Sequence, residues 1–130
     1  MFPTESDNGN IEAMLVFRME ERGYIVVIED PFIRKLLRDL LTRRGYRIVD
    51  SSARQIATLL KENAGHVDLV ITNTPGDLLE FAPELPLLYL AAAPDPDLAA
   101  RFRHCRTVHK PFQAQQLVSA VEELTAAAVA

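Results

Sequence analysis

Short apolar runs alternate with helix-like repeats of apolar residues along most of this chain. The runs Tyr24–Ile28 and Val67–Thr72 are continuous and rich in β-branched residues, which is typical of strands covered on both faces. Three further runs predict strands at residues 46–49, 85–90 and 107–109. Apolar residues recur at helical spacing in three other segments, at residues 31–44, 52–63 and 111–128. Strands separated by helices are joined by parallel crossovers, so the pattern predicts an α/β fold with a doubly wound, five-stranded parallel sheet.

The third crossover is unusually short. Only eighteen positions separate Asn73, which follows the third predicted strand, from Ala91 at the end of the fourth. Residues 76–84 cannot hold a full crossover helix together with its two loops. We therefore expect the third helix to be shortened to one or two turns around residues 77–82, or to be replaced by a loop.

The first 22 residues precede the alternating pattern. Residues 1–10 are polar and have no periodicity, whereas Ile11–Arg22 is rich enough in apolar residues to predict a helix. We assign residues 1–22 to an amino-terminal extension and residues 23–130 to a single domain. Two interpretations of the extension stay open: either the biological start is Met19, or the extension is an added helix that docks or dimerises.

Composition narrows the class of protein. The 130 residues are 48% hydrophobic, enough for one buried core, and a formal charge of -4 with mostly scattered basic residues argues against a dedicated nucleic-acid binder. We expect no membrane span and no secretory signal, because no apolar run has the necessary length or flanks. We therefore expect a cytoplasmic protein. Cys105 is the single cysteine, which excludes an internal disulfide and favours a small buried apolar role.

Two short motifs follow predicted strands. Glu29 and Asp30 come directly after the first strand, and adjacent carboxylates at the carboxyl end of a parallel strand suit a hard cation such as Mg²⁺. Alternatively, the pair only favours the positive end of the helix that Pro31 begins. The second motif, Lys110-Pro111-Phe112, follows the fifth strand, and its proline is predicted to begin the last helix.

The acidic pair and the Lys-Pro-Phe motif, spaced by three further strands, make residues 24–128 resemble the receiver domain of bacterial two-component response regulators. The resemblance implies a flavodoxin-like fold. In receivers the third strand delivers an aspartate that accepts a phosphoryl group from a histidine kinase, and the lysine reaches over to the phosphorylated side chain. Here Asn73 stands at the acceptor position. A carboxamide cannot act as the anionic oxygen nucleophile that attacks phosphorus.

Two switch positions also depart from the receiver pattern. Receivers place a serine or threonine where this chain has Ala91, and an aromatic residue three positions before the lysine, where it has Thr107. The resemblance therefore implies a degenerate receiver that has lost its acceptor together with its switching relay. The retained ionisable residues are Glu29, Asp30 and Lys110. Because Asn73 is neutral, we expect no required cofactor and weak or absent Mg²⁺ binding.

Other polar residues are weaker candidates for chemistry. Asp68 and Asp77 are poorly placed to accept a phosphoryl group, and the hydroxyls of Thr72 and Thr74 lack an activating base. His104 and His109, near the fifth strand, lack metal-ligand spacing. The arginine groups at residues 43–47 and 101–106 are interpreted as solvated helix faces or as a partner-facing surface.

We expect a non-enzymatic signalling domain that works without phosphorylation, as a protein-interaction or dimerisation module. Receivers commonly use the face made by the fourth helix, fifth strand and fifth helix, which corresponds to residues 95–128 here. The expected partner is a histidine kinase, another regulator or a second copy. Two alternatives stay open: an active phospho-receiver with an unorthodox acceptor, and a small-molecule binder at the carboxyl end of the sheet.

Overall fold

The computed structural model of the protein describes residues 23–63 and 66–129. These residues form a parallel sheet with strand order β2-β1-β3-β4-β5 and helices on both faces. The strands are β1 (Tyr24–Ile28), β2 (Ile48–Asp50), β3 (Val67–Thr72), β4 (Leu87–Ala91) and β5 (Cys105–His109). The helices are α1 (Pro31–Thr42), α2 (Ile56–Asn63), α3 (Pro96–Ala99) and α4 (Ala114–Val129), with a 3-10 helix at Pro75–Phe81. The predicted doubly wound, five-stranded parallel fold is confirmed.

Two hydrophobic clusters, one on each face of the sheet, hold the layers together. Successive residues of a strand point to opposite faces, so each central strand contributes to both clusters. The first cluster packs the sheet against α1 and α4, and includes Val27, Ile71, Leu90, Leu37 and Leu117. The second packs it against α2, the 3-10 helix and the α3 region, and includes Val26, Val70, Leu87, Ile56, Leu78 and Phe102.

The third crossover contains the 3-10 helix where a full crossover would carry an α-helix, as its length predicts. Pro75 begins this helix, where its missing N–H costs no hydrogen bond. Leu78 is fully buried in the second cluster and is the main apolar anchor of the segment. The crossover therefore covers its part of the sheet with one short segment, in which Leu79 and Phe81 also pack against the second cluster.

The last helix starts later than predicted. Pro111 was expected to begin it, but α4 starts at Ala114 and the Lys110–Pro111 peptide bond is cis. The N–H of Gln113 donates to Oε1 of Gln116 at 3.0 Å, the reciprocal half of a capping box, and this contact sets the helix start.

The region before β5 also differs from its prediction. Helix α3 spans only four residues, because Phe102 turns into the second cluster and is 5% exposed. Arg101 and Arg103 thus lie beyond the helix, and their interpretation as a helical face is wrong. The ends of β2, β4 and β5 differ from their predicted ends by at most two residues.

The predicted helix at Ile11–Arg22 lies outside the described residues. Within residues 23–63 and 66–129, none of the helices has both the length and the apolar character needed to span a membrane.

Candidate functional site

Strand register brings most of the candidate residues to one edge of the sheet. Ile28 pairs with Thr72, so the residues that follow, Glu29 and Asn73, leave β1 and β3 at the same level. On the other side of the site, the Lys110 N–H donates to the Ala91 carbonyl at 2.9 Å. All four positions therefore lie at the carboxyl ends of the parallel strands, where open α/β sheets bind ligands.

Glu29 and Lys110 form a buried ion pair at this edge. Lys110 Nζ donates to Glu29 Oε1 at 2.9 Å, across 81 positions of sequence. The Glu29 side chain is 0% exposed and that of Lys110 is 22% exposed. Glu29 Oε2 is buried and makes no hydrogen bond with any group in the described ranges. The pair thus satisfies one carboxylate oxygen and leaves the other unsatisfied, which is costly in a protein interior.

The pKa of Glu29 reflects this environment. Burial raises the pKa above its usual value, since removal from water disfavours the charged carboxylate. The hydrogen bond and positive charge of Lys110 oppose this rise, as does a backbone hydrogen bond from Asp30. The net result is a raised pKa, so the lysine does not fully compensate the carboxylate for its burial.

Asp30 has a local structural role. It is the N-cap of α1, and its Oδ1 accepts the N–H of Ile33 at 3.0 Å. Its exposed side chain thereby satisfies one of the free N–H groups at the helix start, where a negative charge is also favourable. The helix-start interpretation of the acidic pair is therefore realised by Asp30, while Glu29 enters the buried pair with Lys110.

Asn73 lies on a tight local turn after β3. Its neighbours form the turn: the Thr74 N–H donates to Thr72 Oγ1 at 3.0 Å, and the two threonine hydroxyls lie 3.3 Å apart. Asn73 itself is exposed, and none of the described side chains hydrogen-bonds its carboxamide. Lys110 pairs with Glu29 instead. The acceptor position thus presents a neutral amide to solvent beside a buried ion pair.

The two switch positions are occupied by small side chains. Ala91, the last residue of β4, is half-buried and carries no hydroxyl group. Thr107 in β5 is also half-buried, and it pairs in register with Tyr89 of β4. The site therefore combines a methyl group at the strand end with a short polar side chain on the neighbouring strand.

Tyr89 is a residue of the site that the sequence analysis missed. It is 5% exposed, and its hydroxyl accepts the N–H of Asp95 at 3.1 Å. Asp95 is also the N-cap of α3, since its Oδ1 accepts the N–H of Asp97. The strand tyrosine thus holds the loop that leads from β4 into α3. The Asp-Pro pair at 95–96 is a helix-start signal in the sequence, but nothing there indicates its contact with Tyr89.

Most of the weaker candidates lie apart from this edge, although His109 ends β5 beside Lys110. Asp68 is five positions before Asn73, about 16 Å along β3, and burial raises its pKa. Asp77 is exposed on the 3-10 helix. Cys105 is half-buried against the second cluster and burial raises the pKa of its thiol, which fits the expected apolar role. His109 ends β5 and is exposed.

The donor set fits a divalent cation poorly. In the parts of the chain that the structure describes, no three His, Cys, Asp or Glu residues are grouped closely enough to hold a metal ion. Near the strand ends, Asp30 is engaged in its helix cap and one oxygen of Glu29 in the lysine pair. The unsatisfied Glu29 Oε2, the other carboxylate oxygen of Asp30 and the neutral Asn73 carbonyl remain; Lys110 offsets one of the two carboxylate charges, which leaves less negative charge than Mg²⁺ sites usually provide.

Solved structures of response regulator receiver domains share this fold. A signal receiver domain of an HD domain-containing protein from Pseudomonas fluorescens Pf-5 aligns with a TM-score of 0.68 and 23% identity, over 83% of this chain and 90% of that one. A response regulator receiver protein from Sinorhizobium medicae WSM419 aligns with a TM-score of 0.66 and 20% identity, over 82% of this chain and 95% of that one. A response regulator receiver domain protein from Clostridium thermocellum aligns with a TM-score of 0.64 and 21% identity, over 80% of this chain and 94% of that one.

These similarities define the class of fold. The chain has the flavodoxin-like architecture of receiver domains, as its motifs and spacing imply. No protein-family model matches the chain, and no curated protein matches it. At identities of 23% and below, the fold is shared, while the chemistry depends on the individual residues at the site.

Proposed function

We propose that this chain is a degenerate receiver, a signalling domain that acts without phosphorylation as a protein-interaction or dimerisation module. The observation that carries the proposal is Asn73, a neutral and exposed carboxamide at the end of β3, in the position where receivers present their acceptor. Phosphoryl transfer needs a nucleophilic oxygen held in line with the phosphorus atom. The neighbouring carboxylates are held in a helix cap and an ion pair, so neither replaces the missing group.

The buried ion pair between Glu29 and Lys110 supports a site that stays in one conformation. In a working receiver the lysine reaches the phosphorylated side chain, whereas Lys110 already has a buried carboxylate partner at 2.9 Å. Moving Lys110 toward a phosphoryl group would leave Glu29 buried and unpaired. This cost opposes any response centred on the lysine.

The loop after β4 supports the same conclusion. Ala91 cannot hydrogen-bond a phosphoryl oxygen, and Thr107 lacks the aromatic ring that turns inward in a phosphorylated receiver. Tyr89 instead fixes the loop from the core through the N–H of Asp95. A buried contact that involves none of the phosphorylation residues would hold the loop in one conformation whatever the state of the site.

The proposed interaction face comprises residues 95–128, by analogy with the face that receivers commonly use. It includes α3, β5 and most of α4, and it carries exposed polar residues such as Gln113 and Arg103. The proposed partner is a histidine kinase, another regulator or a second copy of the chain. We further propose a non-enzymatic, cytoplasmic protein that requires no cofactor and binds Mg²⁺ weakly at most.

A phosphodonor assay tests the central claim. The unmodified chain is incubated with acetyl phosphate and Mg²⁺, and its intact mass is then measured. We expect no adduct. The matched variant Asn73→Asp serves as the control, since it restores a carboxylate at the same backbone position. A stoichiometric phosphoryl adduct on the unmodified chain would overturn the proposal and favour an unorthodox acceptor. A thermal-shift screen of small metabolites covers the remaining alternative, a ligand at the strand ends.

A further inference from the structure

The two edge strands of the sheet are protected to different degrees. β2 is three residues long, and its last residue, Asp50, accepts a 2.7 Å hydrogen bond from Arg38 and lies 3.9 Å from Arg34. Short length and charged side chains are the usual ways in which an edge avoids pairing with another strand. β5 has five residues, Cys-Arg-Thr-Val-His, with no proline, lysine or bulge. β5 is longer than β2 and carries one charged side chain, Arg106, which pairs with Glu123 of α4, so its edge is the less protected of the two.

The hydrogen bonds at its ends show which groups of β5 are free to pair. The His104 carbonyl accepts the Leu87 N–H, and the Lys110 N–H donates to the Ala91 carbonyl. In a parallel ladder, alternate residues direct both backbone groups to the same neighbour. Even-numbered residues therefore face β4, and the N–H and C=O groups of Cys105, Thr107 and His109 point away from the sheet. Over about 16 Å, the edge offers three donors and three acceptors.

A groove of about 470 Å³ runs between this edge and the start of α4. Most of β5 lines one wall, and uncharged side chains of the helix line the other, among them Gln115 and Ser119. The Gln115 amide donates to the Ser119 hydroxyl at 3.2 Å. Arg106, which also lines the groove, pairs with Glu123. The helical wall thus offers neutral hydrogen-bonding groups and no unpaired carboxylate or ammonium group.

We infer that the free edge of β5 binds an extended segment of a partner protein, which adds to the sheet as a sixth strand. Main-chain hydrogen bonds to Cys105, Thr107 and His109 would hold the segment. Its side chains on the α4 side are uncharged and polar, because a charge placed against Gln115 and Ser119 would lose water without gaining a counter-charge. The inference rests on the proposed interaction module and specifies how that module recognises its partner.

A single strand fits this groove better than a second copy does. The edge lies beside α4, so one extended chain can reach it from solvent. A second copy that paired its own β5 here would bring its own α4 against the first. Self-pairing is therefore the competing outcome of the test.

The test uses the full chain and a phage-displayed library of random peptides about eight residues long. Peptides are selected on the unmodified chain alone and then synthesised, and their binding to the unmodified chain and to Thr107→Pro is measured separately. Proline removes one outward N–H but no N–H of the β4 ladder, so the sheet is retained. Selected peptides are expected to bind T107P about tenfold more weakly or worse. Circular dichroism and cooperative unfolding establish that T107P is folded.

Amide hydrogen exchange supplies the decisive pattern. With peptide bound, the amides of Cys105, Thr107 and His109 should gain protection, while those of Arg106 and Val108 are protected in both states. Two versions of each peptide are also made, N-methylated at the odd or at the even positions; because only one set of N–H groups faces β5, one version should lose far more binding than the other, and this control holds even if T107P does not fold.

The inference is overturned by any of these results: no enrichment over the unselected library, equal binding by the two N-methylated versions, equal binding to folded T107P, or protection without alternation. If alternating amide protection increases with protein concentration in the absence of peptide, the inference is overturned in favour of pairing between two copies of the chain. Each of these results leaves the phosphodonor assay unaffected. A phosphoryl adduct, conversely, would defeat the proposed function while the peptide result still reports on the edge.

Discussion

Replacing Lys110 by methionine isolates the energetics of the buried pair. Methionine keeps most of the apolar stem and removes the charge, so Glu29 remains buried without its partner. The folded protein can then avoid a buried charge only by keeping the Glu29 carboxyl protonated. Relative to an unfolded pKa near 4.5, this costs about 1.4 kcal/mol for each pH unit above that value. The largest loss of folding free energy expected in the variant is therefore about 4 kcal/mol near pH 7.5 and about 1.4 kcal/mol near pH 5.5.

The direction of the pH dependence follows from the raised pKa. A carboxyl group whose pKa is higher in the folded state stabilises that state fully below the unfolded pKa, and this contribution is lost as pH rises through the folded pKa. Without Lys110, which opposes the rise, the pKa of Glu29 is higher still. Because Lys110 is 22% exposed, we expect K110M to lose about 2–3 kcal/mol near pH 7.5 and at most about 1 kcal/mol near pH 5.5.

Urea unfolding followed by circular dichroism measures both values. The matched background is Glu29→Gln, in which no carboxyl group is left to bury. In that background K110M should cost less than about 1 kcal/mol at either pH, so the double-mutant cycle assigns the pH-dependent part to the pair. An equal loss at both pH values, or an undiminished loss in the E29Q background, would show that Lys110 stabilises the fold through packing instead.

Three further changes test other parts of the structure. Asn73→Asp should raise Mg²⁺ affinity about tenfold or more by calorimetric titration, because a carboxylate replaces a neutral carbonyl; unchanged affinity would count against the charge argument. Tyr89→Phe should cost about 1 kcal/mol and speed amide exchange at Asp95, which loses its acceptor; unaltered exchange would contradict the proposed loop contact. Leu78→Ala should cost about 2–4 kcal/mol in urea unfolding, and a loss below 1 kcal/mol would mean that the 3-10 helix does not depend on this anchor.

The fold was predictable wherever local pattern and tertiary packing agree. β1 and β3 have the predicted ends because nearly all residues of these runs are buried between the two layers that cover the sheet. The start of α4 was not predictable from its proline, because the helix begins where the Gln113 backbone N–H donates to the Gln116 side chain. Likewise, α3 is short because Phe102 is drawn into the core, a preference that helical periodicity does not express.

The site was predictable in its position but not in its contacts. Residues that follow parallel strands meet at one edge, so Glu29, Asn73 and Lys110 could be placed together before their geometry was known. Sequence could not show that Glu29 turns inward while its neighbour Asp30 caps a helix, since both are carboxylates after the same strand. That division depends on tertiary contacts, since the Glu29 side chain meets Lys110, which follows β5, whereas Asp30 caps α1.

The small turn around Asn73 also bears on how long the chain keeps its amide. Asparagine loses its amide when the following backbone nitrogen attacks the carboxamide carbon, closes a succinimide ring and releases ammonia; water then opens the ring to give aspartate or isoaspartate. Here that nitrogen belongs to Thr74, and its N–H is held by Thr72 Oγ1 at 3.0 Å. The hydrogen bond disfavours both loss of the proton and rotation toward the carboxamide. The two threonines therefore slow the one spontaneous reaction that would rebuild a carboxylate here, and so protect the neutral state of the site as the protein ages.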